Sequence, residues 1–320
     1  MHILITGAAG FLGQRLTKAL VARGTLDGRT ITRLTLVDQS APPAIDAGDI
    51  AVVTTSRDLT QAGAWNALLD GRPDVIYHLA AVVSSAAEAD LELGLAVNFD
   101  ATRALLDGCR SRGLGQTRVL MASSVAVYGG ELPEVLTDMT ALTPQSSYGT
   151  QKAMCELLIN DFSRRGLIDG RVLRLPTIVI RPGRPNAAAS SFASSILREP
   201  LAGEDAVCPV PTGLELFVMS PGKVVEALIH GAEVESRELG ASRCFMLPGI
   251  TVSVAEMLEA LRRRAGDAAV DRVRFEPDAA VTAIVASWPG RFSTAKADRL
   301  GFKGDDSFDD IVAGFVADLH

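Results

Sequence analysis

Tyr148 and Lys152 stand four residues apart in the stretch SSYGTQK, 146–152. Residues at that spacing share one face of a helix, so both side chains can open into the same cleft. The chemistry such a pair serves is alcohol oxidation, in which a proton leaves oxygen while a hydride leaves carbon. A free tyrosine, with a pKa of about 10, is a poor base at neutral pH, but a neighbouring ammonium and a positively charged nicotinamide both favour its phenolate. Bringing such a hydroxyl near neutrality takes about 4 kcal/mol, within reach of two close cations in a desolvated cleft. Taken alone, the pair reads more simply as two neighbours on a solvated helix surface, and its context must decide.

Ser124 closes an apolar run at 118–124, RVLMASS, where its hydroxyl can hydrogen-bond a substrate oxygen and hold it against Tyr148. The adjacent Ser123 is expected to face the cofactor. Tyr128 lacks a lysine four residues on, where Leu132 stands, and reads as structural.

The stretch TGAAGFLG places Gly7, Gly10 and Gly13 directly after the first apolar run and at the head of the first helical pattern. Such glycines make a tight turn, let the backbone approach a pyrophosphate, and let helix pack close on strand, while the helix N-terminus offers N–H groups to phosphate. Asp38 ends the next strand, where a carboxylate accepts from the adenosine ribose and repels a 2′-phosphate. No arginine follows at once in DQSAPP, which favours NAD over NADP. Asp58 and Leu59 fall where an adenine would lie.

The elements that must position these residues alternate in type. Strands are expected at 2–6, 33–38, 50–55, 74–81, 118–124 and 171–175, with helices at 11–24, 86–112 and from 147 to 166. Near-continuous Val/Ile/Leu strands alternating with helices mean a parallel sheet covered on both faces. The fold class is therefore α/β, a Rossmann-type doubly wound parallel sheet with a smaller, mixed C-terminal substrate lobe. The division expected is 1–180 for the NAD-binding domain, with 217–235 returning to it, and 181–320 for the lobe. Helices in the lobe are expected at 190–198, 221–235, 253–265 and 307–319.

The chain has 320 residues, 48% hydrophobic, with 29 glycines and a net charge of −7. That charge gives no support to nucleic-acid or anionic-membrane binding. No apolar run is long enough to span a bilayer, and no basic region followed by an apolar segment opens the chain, so the cytoplasm is the expected compartment. Four cysteines, Cys109, Cys155, Cys208 and Cys244, lie far apart without C-x-x-C spacing. They read as small core hydrophobes rather than disulfides or metal ligands, and no metal is expected.

The glycine spacing G-x-x-G-x-x-G, with HLAA (78–81), NFDATRALL (98–106), SSVAVYG (123–129) and YGTQK (148–152), resembles the extended short-chain dehydrogenase/reductases. These are the sugar-nucleotide epimerases, dehydratases and related dehydrogenases. The likeness covers residues 1–180 in order and continues weakly in FMLPGITVSVAEMLEAL (245–261). It implies cofactor contacts from Phe11, Leu12, Leu79, Ala80, Ala81 and Pro176, beside the glycines, Asp38, Tyr148 and Lys152. Asn98 matches the family's long-helix asparagine at the nicotinamide end, and is grouped with Tyr148, Lys152 and Ser124 as catalytic. Dimerisation through the helices near 86–112 and 148–165 is implied as well.

Dehydratases of this family carry an Asp–Glu pair after the active-site Ser/Thr, and decarboxylases a Glu; here Val125, Ala126 and Val127 follow. Nucleotide-sugar binders usually show an R-x-x-N-x-Y-G-P-like run after the sixth strand. This chain instead reads RLPTIVIRPGRPNAAASSF (174–192). The departure resembles members that oxidise the C2 hydroxyl of a four-carbon sugar acid to the 2-oxo acid with NAD. A small polyhydroxy carboxylate needs one cationic anchor and several hydroxyl partners. Ser84, Ser85, Arg181, Arg184, Asn186, Ser190, Ser191 and Arg291 can supply these, besides Ser124 and Tyr148, and no single arginine stands out. A nucleotide-sugar 4-epimerase is the alternative, and a non-catalytic NAD(P)-sensing protein the reading from another class.

Overall fold

The computed structural model describes residues 1–183 and 189–318. In chain order its main strands are β1 (His2–Thr6), β2 (Arg33–Asp38), β3 (Ala51–Ser56), β4 (Val75–His78), β5 (Arg118–Ser124), β6 (Asp169–Leu175), β7 (Thr177–Ile178), β8 (Glu215–Met219), β9 (Cys244–Met246) and β10 (Ile250–Ser253). Seven of them form one sheet in the order β9-β6-β5-β4-β1-β2-β3, every pair parallel. The central strands are mostly apolar on both sides because helices cover both faces. On one face Leu16 and Leu20 of the helix Phe11–Arg23 meet Val224 and Leu228 of Pro221–Glu233. On the other, Leu105 and Leu106 of Ala101–Ser111 pack with Cys155 and Ile159 of Ser147–Arg164. This is the doubly wound arrangement of Rossmann type.

Two local differences from the sequence expectation have physical reasons. The single helix expected at 86–112 is broken. Asp90 takes an extended conformation and its carboxylate accepts from the Leu93 amide, capping a new turn. A π-helical turn at Leu95–Asp100 follows, and it carries the buried Asn98. The seventh strand, β9, is three residues long and too short to announce itself by periodicity.

The smaller lobe holds the three-stranded sheet β10-β8-β7, antiparallel between β8 and β10 and parallel between β8 and β7. Helices Phe192–Leu201, Val254–Ala265 and Phe308–Ala317 close its own core around Ile196, Leu216, Val252, Met257 and Phe315. All four cysteines are buried and free, and burial pushes their thiols up, that of Cys109 to about 12. Among the described residues no helix is long and apolar enough to cross a membrane. Nor is any group of three or more His, Cys, Asp or Glu placed to hold a metal.

Candidate active site

At the C-terminal end of β1 the chain turns through Gly7, at φ +71°, into the helix Phe11–Arg23. A Cβ on Gly13 would stand 2.2 Å from the Gly7 carbonyl oxygen, so helix and turn approach closer than any side chain allows. No side chain caps this helix, and its first N–H groups remain available to an anion. A cavity of about 750 Å³ opens beside the turn, bordered by Gly7, Gly10, Asp38, Asp58, Leu59 and the run Leu79–Ala81. The two oxygens of the Asp38 carboxylate accept from the amides of Ala9 (2.9 Å) and Gln39 (2.7 Å), which joins the end of β2 to the glycine turn. Each oxygen keeps acceptor capacity for a ribose hydroxyl. Asp58 accepts from the Thr60 hydroxyl and amide and from Gln61, and these bonds hold its carboxyl below the usual range. The cradle, the uncapped helix and the acidic residue together fit a dinucleotide.

Phe11, Leu12 and Gly13 lie in the helix head behind this cavity rather than on its border. Arg57, not singled out from sequence, does border it, with its guanidinium donating to the Ala64 carbonyl at 3.1 Å. No local pattern announces Arg57, because it reaches the site only through the pairing of β2 with β3.

Ser146 caps the helix Ser147–Arg164, accepting from the Gly149 amide at 3.1 Å. A Cβ on Gly149 would lie 2.0 Å from the Ala126 carbonyl oxygen. The glycine in YGTQK thus lets the helix press against the turn that follows Ser124. Lys152 is buried, and its ammonium donates to the Ala122 carbonyl at 3.0 Å while lying 5.7 Å from the centre of the Tyr148 ring. Tyr148, Ser123, Ser124 and Pro176 border a second cavity, of about 130 Å³, together with Ser84 and Arg181. No acidic residue borders it among those described.

Ser123 borders this second cavity, and its hydroxyl donates to Glu156 at 2.6 Å. Asn98 uses its side-chain amide within the protein. Its oxygen accepts from the Val82 amide at 2.9 Å, and its nitrogen donates to the Val82 carbonyl and to Gln151. It staples the loop after β4 to the helix Ser147–Arg164.

Among the described residues, Arg181 is the arginine that borders this second cavity. Its Nη2 is buried without a hydrogen-bond partner. Burial and then the neighbouring Arg198 cation lower its pKa, with Tyr148 opposing. Arg291 is excluded from that cavity: its guanidinium grips Glu215 through two bonds, at 2.8 and 3.0 Å, and reaches Glu134 at 3.4 Å. Ser84 and Ser190 border the cavity, whereas Ser85 and Ser191 do not. Arg184 and Asn186 lie outside the described residues.

A buried network missed from sequence underlies the site. Glu156, one turn after Lys152 on the same helix, takes two hydrogen bonds from Arg174 Nε and a third, at 2.7 Å, from Nη2. Arg174 Nη1 donates to the Tyr128 hydroxyl at 2.6 Å. Tyr128 is therefore structural, as its lack of a lysine partner implies, and burial pushes its hydroxyl up to about 12. The available signal was Arg174 itself, a charge within the apolar strand RVLRL.

The chain belongs to the NAD dependent epimerase/dehydratase family, whose model matches residues 3–231, and it is an NAD-dependent dehydrogenase. It is 53% identical to a D-erythronate dehydrogenase of Cupriavidus necator, over 99% of this chain and 98% of that protein. It is 48% identical to a D-erythronate dehydrogenase of Haemophilus influenzae, over 99% of each. A solved structure described as a nucleoside-diphosphate-sugar epimerase from Agrobacterium tumefaciens is 45% identical, with a TM-score of 0.95, over 99% of this chain and 94% of that one.

Proposed function

We propose that this dehydrogenase oxidises the C2 hydroxyl of a small sugar acid, D-erythronate or a close analogue, to the 2-oxo acid. The observation that carries the reading is Arg181: a buried, unpartnered guanidinium nitrogen beside the same cavity as Tyr148 and Ser124. An unpaired buried cation is costly, and a substrate carboxylate is the group that would satisfy it. In a cavity of about 130 Å³ the carboxylate and the reacting hydroxyl must be separated by few bonds, which describes a 2-hydroxy acid.

In this reading Arg181 holds the carboxylate and Ser124 hydrogen-bonds the C2 oxygen. Tyr148 takes the hydroxyl proton as the C–O bond gains double-bond character, and the Lys152 ammonium stabilises the phenolate. Bound NAD supplies the hydride acceptor. Asp38, the glycine turn and the uncapped helix hold the dinucleotide.

The names of the two curated relatives support the substrate class. The epimerase description of the solved relative does not fit as well, since nucleotide-sized ligands fill pockets of about 300–1,000 Å³, several times this one. The absence of a carboxylate among the described bordering residues favours simple oxidation over elimination of water. We propose a homodimer as well, on the strength of Leu157, 67% exposed on the catalytic helix.

The test is to mix purified protein with NAD and D-erythronate and follow the absorbance of reduced nicotinamide. Steady reduction is expected. Failure on every aldonate, alongside interconversion of UDP-sugars, would overturn the assignment in favour of an epimerase.

A further inference from the structure

We propose that Trp288 is the wall that sets the chain length of the acid, admitting about four carbons and excluding longer aldonates. The inference rests on reading the cavity beside Tyr148 as the sugar-acid site. Trp288 borders that cavity, of about 130 Å³, and also an outer one of about 530 Å³. Among the described residues it is the only one common to both. Its side chain packs on the cluster formed by Val125, Phe217 and Met246, and Val125 directly follows Ser124.

The wall is held by its backbone, independently of the indole. The Trp288 amide donates to the Val285 carbonyl at 3.1 Å, at the end of the helix Ala279–Ala286. Two residues on, the Gly290 carbonyl accepts from the Thr251 hydroxyl at 2.7 Å. The next residues bracket Leu136: its amide donates to the Arg291 carbonyl at 3.0 Å, and the Ser293 amide donates to its carbonyl at 2.7 Å. Phe292 then packs against Phe217, with ring centres 4.8 Å apart. A segment anchored at four points is a fixed partition, not a moving lid.

What lies beyond the partition suits more of the same kind of ligand. The outer cavity is edged by Glu134, Glu215 and Arg291, ion-paired side chains that can exchange hydrogen bonds with hydroxyls. A longer aldonate anchored at Arg181 would meet the indole before reaching them. A wall that collides with each added carbon should discriminate at least as well as a pocket that merely lacks a contact, which gives about 10-fold per carbon.

The experiment compares D-erythronate with five- and six-carbon aldonates of the same C2 and C3 configuration, on the wild type, W288A and W288L. For the wild type, kcat/KM is expected to fall about 10-fold or more with each added carbon. In W288A the four-carbon acid should lose efficiency while the six-carbon acid gains, narrowing the ratio at least about 10-fold, with W288L between them. A parallel thermal-shift series, with NADH and the same acids, reads binding without turnover and checks that each variant is folded.

An unchanged length profile in both folded variants would overturn the proposal. So would a wild type that binds and oxidises six-carbon acids as well as four-carbon ones. If the wild type shows the length cut-off in thermal shift but no turnover of any acid, the proposed reaction fails and the wall stands. Turnover without a cut-off means the reverse.

Discussion

Lys152 donates to the carbonyl of Ala122 across 3.0 Å, from the catalytic helix to the strand that ends in Ser124. One bond thereby fixes the ammonium beneath the Tyr148 ring and sets the spacing between helix and strand. The lysine does not itself border the cavity beside Tyr148.

Tyr148→Phe removes the proton acceptor and leaves the helix contacts in place. General acid–base groups contribute typically 10²–10⁴-fold, so kcat should drop by about that factor while NADH binding, read by fluorescence titration, stays near wild type. Lys152→Met should lower kcat comparably and weaken NADH as well. Full activity of the phenylalanine variant would remove Tyr148 from the proposed role.

Arg181→Met exchanges a guanidinium with one buried, unpartnered nitrogen for an apolar side chain of similar length. Truncating one partner of a buried charge pair costs about 2–5 kcal/mol, on the order of 10²–10³-fold in kcat/KM for the acid. The ligand-free variant should be as stable as wild type or more so, because a binding site's unsatisfied charge is itself destabilising. Steady-state kinetics beside thermal melts checks both parts. A variant that loses stability but keeps its KM would contradict the assignment of Arg181 as anchor.

Glu156→Gln leaves the Arg174 cation buried without its counter-charge. Breaking such a pair costs about 3–5 kcal/mol, so Tm should fall by roughly 4–8 °C in a chain of this length. Tyr128→Phe removes the bond from the Arg174 cation and a longer one, 3.4 Å, to the Thr137 carbonyl, but leaves the ion pair intact, and should cost about 1.5–3 kcal/mol. Equal melting temperatures for the two variants would mean that the network does not carry the stability its geometry implies.

His78 bridges Thr6 and Thr102, each at 2.9 Å. Thr102 gives its proton to the Asn98 carbonyl, so it accepts from Nε2–H, and Nδ1 in turn accepts from Thr6. Complete burial and the Lys152 charge push this imidazole down to about 3 from an ordinary 6.5. Between those values the unfolded chain binds the proton and the native one does not, so stability falls as pH drops below 6.5, by about 1.4 kcal/mol per unit. His2, also lowered by burial, adds in the same direction. Denaturant titrations between pH 7 and pH 4 should show that slope, and His78→Gln should flatten it by one proton. An identical slope in the variant would assign the acid sensitivity elsewhere.

Much of this protein was legible as local pattern. The glycine turn, the acidic end of β2 and the Tyr–Lys pair occupy short windows whose geometry follows from strand and helix periods. The parallel sheet follows from apolar runs that only a doubly covered sheet explains. The three-residue strand Cys244–Met246 had too few residues to show a period. The break at Asp90 turned on a side chain competing for a backbone amide within an otherwise helical run.

The sequence by itself determined the dinucleotide fold, the placing of Tyr148 and Lys152 on one helix face and the lack of a carboxylate just after Ser124, because each is written within a few neighbouring residues. Only the tertiary structure decided which described arginine borders the cavity beside Tyr148. Arg181 and Arg291 look alike in the chain, but Arg291 meets Glu215, 76 residues away, while Arg181 keeps a buried nitrogen, Nη2, without a partner. The same holds for Glu156 with Arg174 and for Trp288 across from Tyr148. Their roles depend on which distant segments the sheet brings to one edge, and no spacing along the chain records that.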